Sequence, residues 1–334
     1  MRRVKPSPFR YHRPLTLEQA LGVLGEVGHD GKVLAGGQSL LPILSMRLAA
    51  PAHLVDINRL GELSYVRTGP DGVRVGALAR HAAVERDDDA AAVQPLLRQA
   101  LRLVAHPTIR NRGTSVGSLA HADPSGELTA VLALTGGRVT LASVHGRREV
   151  AAADFFLGPL ESAVRPGELA VEAFFPSFAP SAPGDAAATR TGTAFVEVSR
   201  RHGDYAMCGV AAAVTVDGDG AVVSARTSYI SMGPVPVVLD LTSAVRAGGW
   251  RLTGGWQQAG RAAVEQLEPE ADIHAGAAYR GHLAGVLTAR ALEQAAAVVL
   301  PPRAPVAAKP ASTRRRSPAK RPAARRRPDK GDPT

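Results

Sequence analysis

Lys32-Val33-Leu34-Ala35-Gly36-Gly37-Gln38-Ser39-Leu40-Leu41-Pro42 joins a short apolar strand, a double-glycine turn and a helix start in one segment. Glycines let backbone N–H groups turn toward an anion with no Cβ in the way. The helix that follows adds a partial positive charge at its N-terminus. A phosphate group therefore suits this turn in principle. Strand–Gly–Gly–helix turns also serve packing alone, so the segment sets an α/β-type local order before it sets a function. Ser39 is placed to cap a helix over Leu40 to Leu48, with Pro42 tolerated in its first turn.

Working outward, Thr16-Leu17-Glu18-Gln19 is a capping box. Leu17, Ala20, Leu21 and Leu24 follow helical spacing behind it, and Gly28 is placed to end the helix. His53 to Ile57 and the alternating Val73 to Leu78 are strands. Pro95 to Ala105 is a helix. A long polar, glycine-bearing segment runs from His106 to Glu127. Leu128 to Leu134 is a further helix, and Val139 to Ala142 and Leu169 to Phe175 are strands. Pro176 to Thr193, rich in Ser, Ala, Pro and Gly, is a linker or surface loop. Beyond it come strands at Ala194 to Val198, Gly209 to Val216 and Ala221 to Ser231. Helices follow around Gln257 to Leu267 and Tyr279 to Val299. Strands followed by helices predict an α+β fold. The boundaries are 1–176, 177–193, 194–300 and a tail over 301–334.

Composition excludes several classes. With 45% hydrophobic and 21% charged residues, most of the 334 residues suit a packed core. No apolar run approaches the ~20 residues of a membrane helix, and no apolar stretch follows the basic N-terminus as a secretory signal would require. Cys208 is the single cysteine, so the chain cannot form an internal disulfide or a cysteine-ligated iron–sulfur cluster or zinc ribbon. A reducing cytoplasm is the expected compartment. The net charge of +10 is concentrated at the end. Residues 303–334 hold 11 Lys/Arg and two Asp, leaving a nearly neutral body. This Pro-, Ala- and Arg-rich tail lacks aromatics and reads as disordered. It is a solvated extension or an electrostatic tether to nucleic acid or another acidic surface.

The second chemistry-bearing stretch is Gly113-Thr114-Ser115-Val116-Gly117-Ser118, leading to His121-Ala122-Asp123-Pro124-Ser125-Gly126-Glu127. Small residues permit close backbone approach, and hydroxyls and amides suit a pyrophosphate. Asp123 or Glu127 suits a sugar or polyol hydroxyl. His106 and His121 flank the loop and either orient a ligand or make local hydrogen bonds. Cys208, in an apolar strand, reads as core. Tyr205 either packs or stacks on an aromatic ligand. There is no Gly-x-Gly-x-x-Gly after the first strand, no Walker lysine and no Gly-x-Ser-x-Gly elbow.

Four segments in order resemble the FAD-binding medium subunits of molybdenum hydroxylases, the carbon monoxide dehydrogenase and xanthine dehydrogenase group. They are Phe9 to Pro14; Ala35 to Pro42 with Arg47-Leu48 and His53 to Ile57; Ile109 to Thr114 with Gly117-Ser118 and His121 to Pro124; and Gly203 to Ala206. The resemblance covers about residues 5–295. It implies an FAD-binding domain of two α+β subdomains and a C-terminal domain with a three-stranded antiparallel sheet and helices. It also implies cofactor contacts from Ala35, Gly36, Gly37, Gln38, Ser39, Leu40, Thr114, Ser115, Val116, Gly117 and Ser118 around the pyrophosphate. Asp123 would lie near the ribityl chain, Glu127 on the flavin nucleotide, Val104 close by and Tyr205 beside the isoalloxazine ring. No catalytic acid or base and no metal ligand is implied in this chain. The implied partners are a molybdenum-cofactor large subunit and a [2Fe-2S] small subunit, in a dimer of heterotrimers. The implied electron acceptor is NAD, a quinone or oxygen. A stand-alone FAD-dependent oxidoreductase is the alternative, and a nucleic-acid or acidic-surface binding protein using the tail is another. Ser115 and Val116 stand where the family more usually has an apolar residue and glycine. A positive φ at Val116 would oppose its β-branched side chain.

Overall fold

The computed structural model describes residues 5–178, 189–249 and 254–300. The basic tail, and most of the segment expected to link the two regions, lie outside the described residues. The first layer is a three-stranded parallel sheet of β1 (Arg10–His12), β2 (Gly31–Leu34) and β3 (His53–Asp56), in the order β1-β3-β2. Helix α1 (Leu17–Val27) packs Leu17, Ala20, Leu21 and Leu24 inward, the stripe its spacing predicted. The Thr16 hydroxyl accepts from Gln19 N–H, and the Gln19 side chain returns to Leu15 N–H at 2.9 Å. The capping box therefore closes one residue upstream of its usual partner. Helix α2 (Leu40–Ser45) is shorter than the sequence suggested. Arg47 takes a left-handed φ of 58° and turns the chain before Leu48. Ser39 precedes α2 without a side-chain capping bond.

The second layer is a five-stranded antiparallel sheet of β4 (Val66–Gly69), β5 (Gly72–Gly76), β6 (Arg138–Ser143), β7 (Gly146–Ala151) and β10 (Leu169–Pro176), with β10 at its centre. Between β5 and β6 lie α3 (His81–Arg86), α4 (Asp88–Val93), α5 (Pro95–Leu101), α6 (Pro107–Arg110), α7 (Ser115–His121) and α8 (Glu127–Thr135). The segment read as a long polar loop, His106 to Glu127, is thus folded into two short helices. Both are signalled by residues at their starts: Pro107 opens α6, and the Thr114 hydroxyl caps α7. Helix α9 (Ala152–Phe155) and a small hairpin of β8 (Phe156–Gly158) and β9 (Glu161–Ser162) precede β10.

The C-terminal sheet contains β11 (Arg190–Ser199), β12 (Ala206–Val216), β13 (Val222–Ile230) and β14 (Val237–Asp240), all antiparallel in that order. It has four strands rather than the expected three. The extra edge strand is a short apolar run just beyond Pro234 and Pro236, too brief to announce itself by alternation. Strand β11 begins at Arg190, four residues before the expected Ala194. Helices α10 (Thr242–Ala247), α11 (Gly254–Val264) and α12 (Ala277–Val299) complete this part.

Strand β12 explains how the two regions meet. Cys208, Val210, Ala212, Val214 and Val216 join the core under α11 and α12. Ala206, Ala211 and Ala213 join the other core, which holds the helices of the N-terminal region. Alternating side chains thus serve two cores from one strand, which is why the run is apolar on both faces. Alanines on the second face let α8 approach closely. The described residues up to Leu300 form one compact unit. Cys208 is fully buried, and burial pushes its thiol up to about 12, so it is an inert core residue.

Candidate cofactor site

The two glycine turns, far apart in sequence, touch. A Cβ on Gly36 would lie 2.5 Å from Arg112 O and 2.7 Å from Gly113 Cα. Glycine at 36 is therefore required for the backbones to meet. Gly37 has a φ of 73°, a conformation that bends the chain between β2 and α2 and that other residues resist. On the facing side, a Cβ on Gly117 would strike the Thr114 hydroxyl, and Ala35 Cβ would lie 4.0 Å from it. The backbone N–H groups of Gly36, Gly37, Gln38, Ser39 and Leu40 have no acceptor among the described residues, nor does that of Val116. Consecutive unpaired N–H groups form a concavity suited to an anion.

A polar network holds this cradle from behind. Asn58 donates to Ala35 O at 2.8 Å and to Asp56 Oδ1 at 2.6 Å. Arg80 donates to Asn58 Oδ1 at 2.7 Å and to Arg112 O at 2.5 Å, so one guanidinium ties the first turn to the second. Tyr11 donates to Asp56 Oδ2. An isolated antiparallel bridge between Arg80 and Thr114 continues the tie, with Ser115 N–H on Ala79 O at 3.1 Å and His81 N–H on Gly113 O at 3.0 Å. His81 is buried, and burial lowers its pKa to about 4, so it is neutral and hydrogen-bonded to Ser115 Oγ.

The individual residues divide accordingly. The Ser115 hydroxyl and the Val116 side chain face the interior. Val116 is helical and has no positive φ, so its β-branch meets no backbone strain and needs no glycine. Gly117 N–H is used by the Thr114 hydroxyl at 3.2 Å. Ser118 is half-buried, and its hydroxyl has no partner among the described residues. Gln38 folds back, its amide donating to Gly36 O at 3.1 Å.

The acidic loop follows α7. Asp123 Oδ1 accepts from Ser125 N–H at 2.9 Å. Glu127 opens α8, and its carboxyl is pushed up to about 7, chiefly by burial, helped by Asp123 and opposed by Arg110. Glu197, on β11, lies near enough to feel the Glu127 charge. Burial and then the Glu127 charge push Glu197 up to about 8, and its Oε2 is sealed without a hydrogen-bond partner. Tyr205 stands at the rim, 59% exposed, and its hydroxyl is raised by burial and by Asp123 and Glu127. Val104 is half-buried. Its carbonyl accepts from Arg110 at 2.9 Å, and Arg110 also pairs with Glu85 at 2.8 Å. Among the described residues no group of His, Cys, Asp or Glu could hold a metal ion.

Residues 7–178 match the FAD binding domain in molybdopterin dehydrogenase, and residues 193–295 match the CO dehydrogenase flavoprotein C-terminal domain. The chain belongs to this family of flavoprotein subunits. It is 36% identical over 292 residues to the 6-hydroxypseudooxynicotine dehydrogenase complex subunit alpha of Paenarthrobacter nicotinovorans, covering 87% of this chain and 96% of that one. Against the carbon monoxide dehydrogenase medium chain of Hydrogenophaga pseudoflava the identity is 35% over 297 residues, covering 87% and 98%. The solved carbon monoxide dehydrogenase of that organism superposes with a TM-score of 0.77 at 35% identity, again covering 87% and 98%. Quinoline 2-oxidoreductase from Pseudomonas putida 86 gives 0.74 at 32%, covering 87% and 98%. The protein is therefore an FAD-binding medium-type subunit of the molybdenum hydroxylase family and part of an oxidoreductase.

The residues present fit FAD. The unpaired N–H groups lie on a turn that needs Gly36, whose Cβ would strike the second turn, and Gly37, whose positive φ other residues resist. Glu197 Oε2 is buried without a hydrogen-bond partner. Asn58, Arg80, His81 and Glu197 were not read from the sequence. Asn58 carries the faintest signal, an Asp-x-Asn step after a strand. Arg80 and Glu197 sit in unremarkable local patterns and gain meaning only from what they face.

Proposed function

We propose that this chain is the electron-transfer flavoprotein of a molybdenum-containing hydroxylase or dehydrogenase. A molybdenum-cofactor large subunit oxidises the substrate, and a [2Fe-2S] small subunit carries electrons to FAD held here. NAD, a quinone or oxygen then receives them. The assembly is a cytoplasmic dimer of heterotrimers. The single observation that carries the cofactor assignment is the meeting of the two glycine turns, with five consecutive N–H groups left free on one of them.

In this reading the Gly36–Leu40 amides and the Val116 amide hold the pyrophosphate, with Thr114 and Gly117 shaping the second turn. Asp123 and Glu127 accept from polyol hydroxyls, and Tyr205 lies against the flavin ring. Val104 lines the apolar side. Bound FAD supplies two-electron acceptance and release of electrons singly or in pairs. The chain binds and orients it, and Glu127 and Glu197 supply protonatable carboxyls beside it. One cysteine, buried, is consistent with clusters residing on a partner. No helix among the described residues is long and apolar enough to cross a membrane.

The test is the visible spectrum of the protein purified with its natural partners. Flavin bands with added iron–sulfur absorbance, bleached by a reducing substrate, are the expected result. A folded protein without flavin refutes the cofactor assignment, and flavin without iron or molybdenum refutes the assembly.

A further inference from the structure

Ser231 follows β13, is 5% exposed, and is a non-glycine residue at a left-handed φ of 60°. Such backbone persists when surrounding contacts over-determine it, and it is often found at functional sites. The contacts here are unusually directed. Ser231 N–H donates to Pro124 O at 2.8 Å. Its Oγ lies 2.6 Å from Ala206 O and 2.7 Å from Ser125 Oγ. A carbonyl only accepts, so the Ser231 proton goes to Ala206 and Ser125 donates to Ser231. Its carbonyl accepts from Arg280 at 2.5 Å, and Arg280, buried on α12, is itself held by Asp272 at 2.5 Å.

The two groups that the Ser231 hydroxyl joins flank the proposed flavin pocket from opposite regions. Ser125 lies between Asp123, whose carboxylate it engages through its own N–H, and Glu127. Ala206 follows Tyr205 directly. One hydroxyl thus joins the acidic loop to Ala206, the first residue of β12, directly after the exposed Tyr205. Glycine would take this φ without strain but would lose this link.

We propose that Ser231 is a positioning residue for the flavin pocket: its hydroxyl sets Tyr205 against the Asp123–Glu127 loop, with Arg280 bracing it from behind. This rests on the FAD reading of the pocket. The Ser231→Gly and Ser231→Ala variants separate the two roles of the residue. Both lose the hydroxyl, but glycine relieves the strained backbone. In the full-length chain, stripped of flavin and titrated with FAD, the pyrophosphate cradle is untouched, so affinity changes by less than about threefold. Emission of the bound flavin, quenched by an adjacent tyrosine, rises about twofold or more in both variants, as it does in Tyr205→Leu. A structural role alone would leave Ser231→Gly like the parent in emission. If Tyr205→Leu raises emission and Ser231→Gly does not, the positioning role is refuted while the pocket assignment stands. If Tyr205→Leu leaves emission unchanged, the flavin is not beside Tyr205 and both fall.

Discussion

Replacing Glu197 with glutamine tests the buried carboxyl near Glu127. Glu197 is half-buried with Oε2 sealed and unpartnered, and its carboxyl is raised to about 8. In the unfolded chain the same group titrates at its ordinary 4.5. Between those values the native state holds a proton that the unfolded state has lost. Native binding of more protons makes stability fall as pH rises. The contribution is complete below about pH 4.5 and is lost by about pH 8. At about 1.36 kcal/mol per pH unit the interval sets a ceiling near 5 kcal/mol. Contact of a half-buried carboxyl with solvent reduces this to about 1–2 kcal/mol. Glutamine keeps the shape and does not titrate. Urea unfolding of the flavin-free full-length chain should therefore show Glu197→Gln close to the parent at pH 5 and more stable by about 1–2 kcal/mol at pH 8.5. An equal difference at both values, or a larger one at pH 5, would refute the account of Glu197 as a proton-holding carboxyl.

Gly36→Ala should lower FAD affinity more than tenfold and cost about 1–3 kcal/mol of stability, because its Cβ falls 2.5 Å from Arg112 O; fluorescence titration and thermal melting read the two effects. Val116→Gly should cost about 2–3 kcal/mol by opening a cavity and loosening α7, with no gain in FAD binding, since Val116 is buried and helical; an FAD affinity above the parent's would show that the peptide needed a glycine. Removal of residues 301–334 should leave flavin content unchanged in the purified complex, read from the flavin-to-protein absorbance ratio.

Much of the geometry of the candidate site was legible because its signals are local. Gly36-Gly37 between a strand and a helix, and Thr114 three residues before Gly117, follow from backbone sterics and capping within a few residues. Glu127 and Tyr205 stood out as an acidic loop residue and a loop tyrosine, and only the ordered resemblance gave each an expected place beside a flavin. Glu197, Arg80 and Ser231 were not legible. A glutamate inside Val196-Glu197-Val198 looks like the outward face of a strand until its carboxyl is found buried within reach of the Glu127 charge. An arginine before His81 looks like surface until its guanidinium is seen bridging Asn58 and Arg112. The folding of His106–Glu127 into helices was obscured by helices of four and seven residues, too short for a hydrophobic period.

By itself, the sequence determined the α+β order, the apolar stripe of α1, the two glycine turns, the inert Cys208 and the family. Each depends on neighbours within a turn or two of chain, or on motifs in a set order. Only the tertiary structure decided that the turns touch, that β12 serves two cores, and that Ser231 bonds both Ser125 and Ala206. Those depend on groups far apart in sequence meeting in space, where burial and unpaired hydrogen-bonding groups acquire their energies.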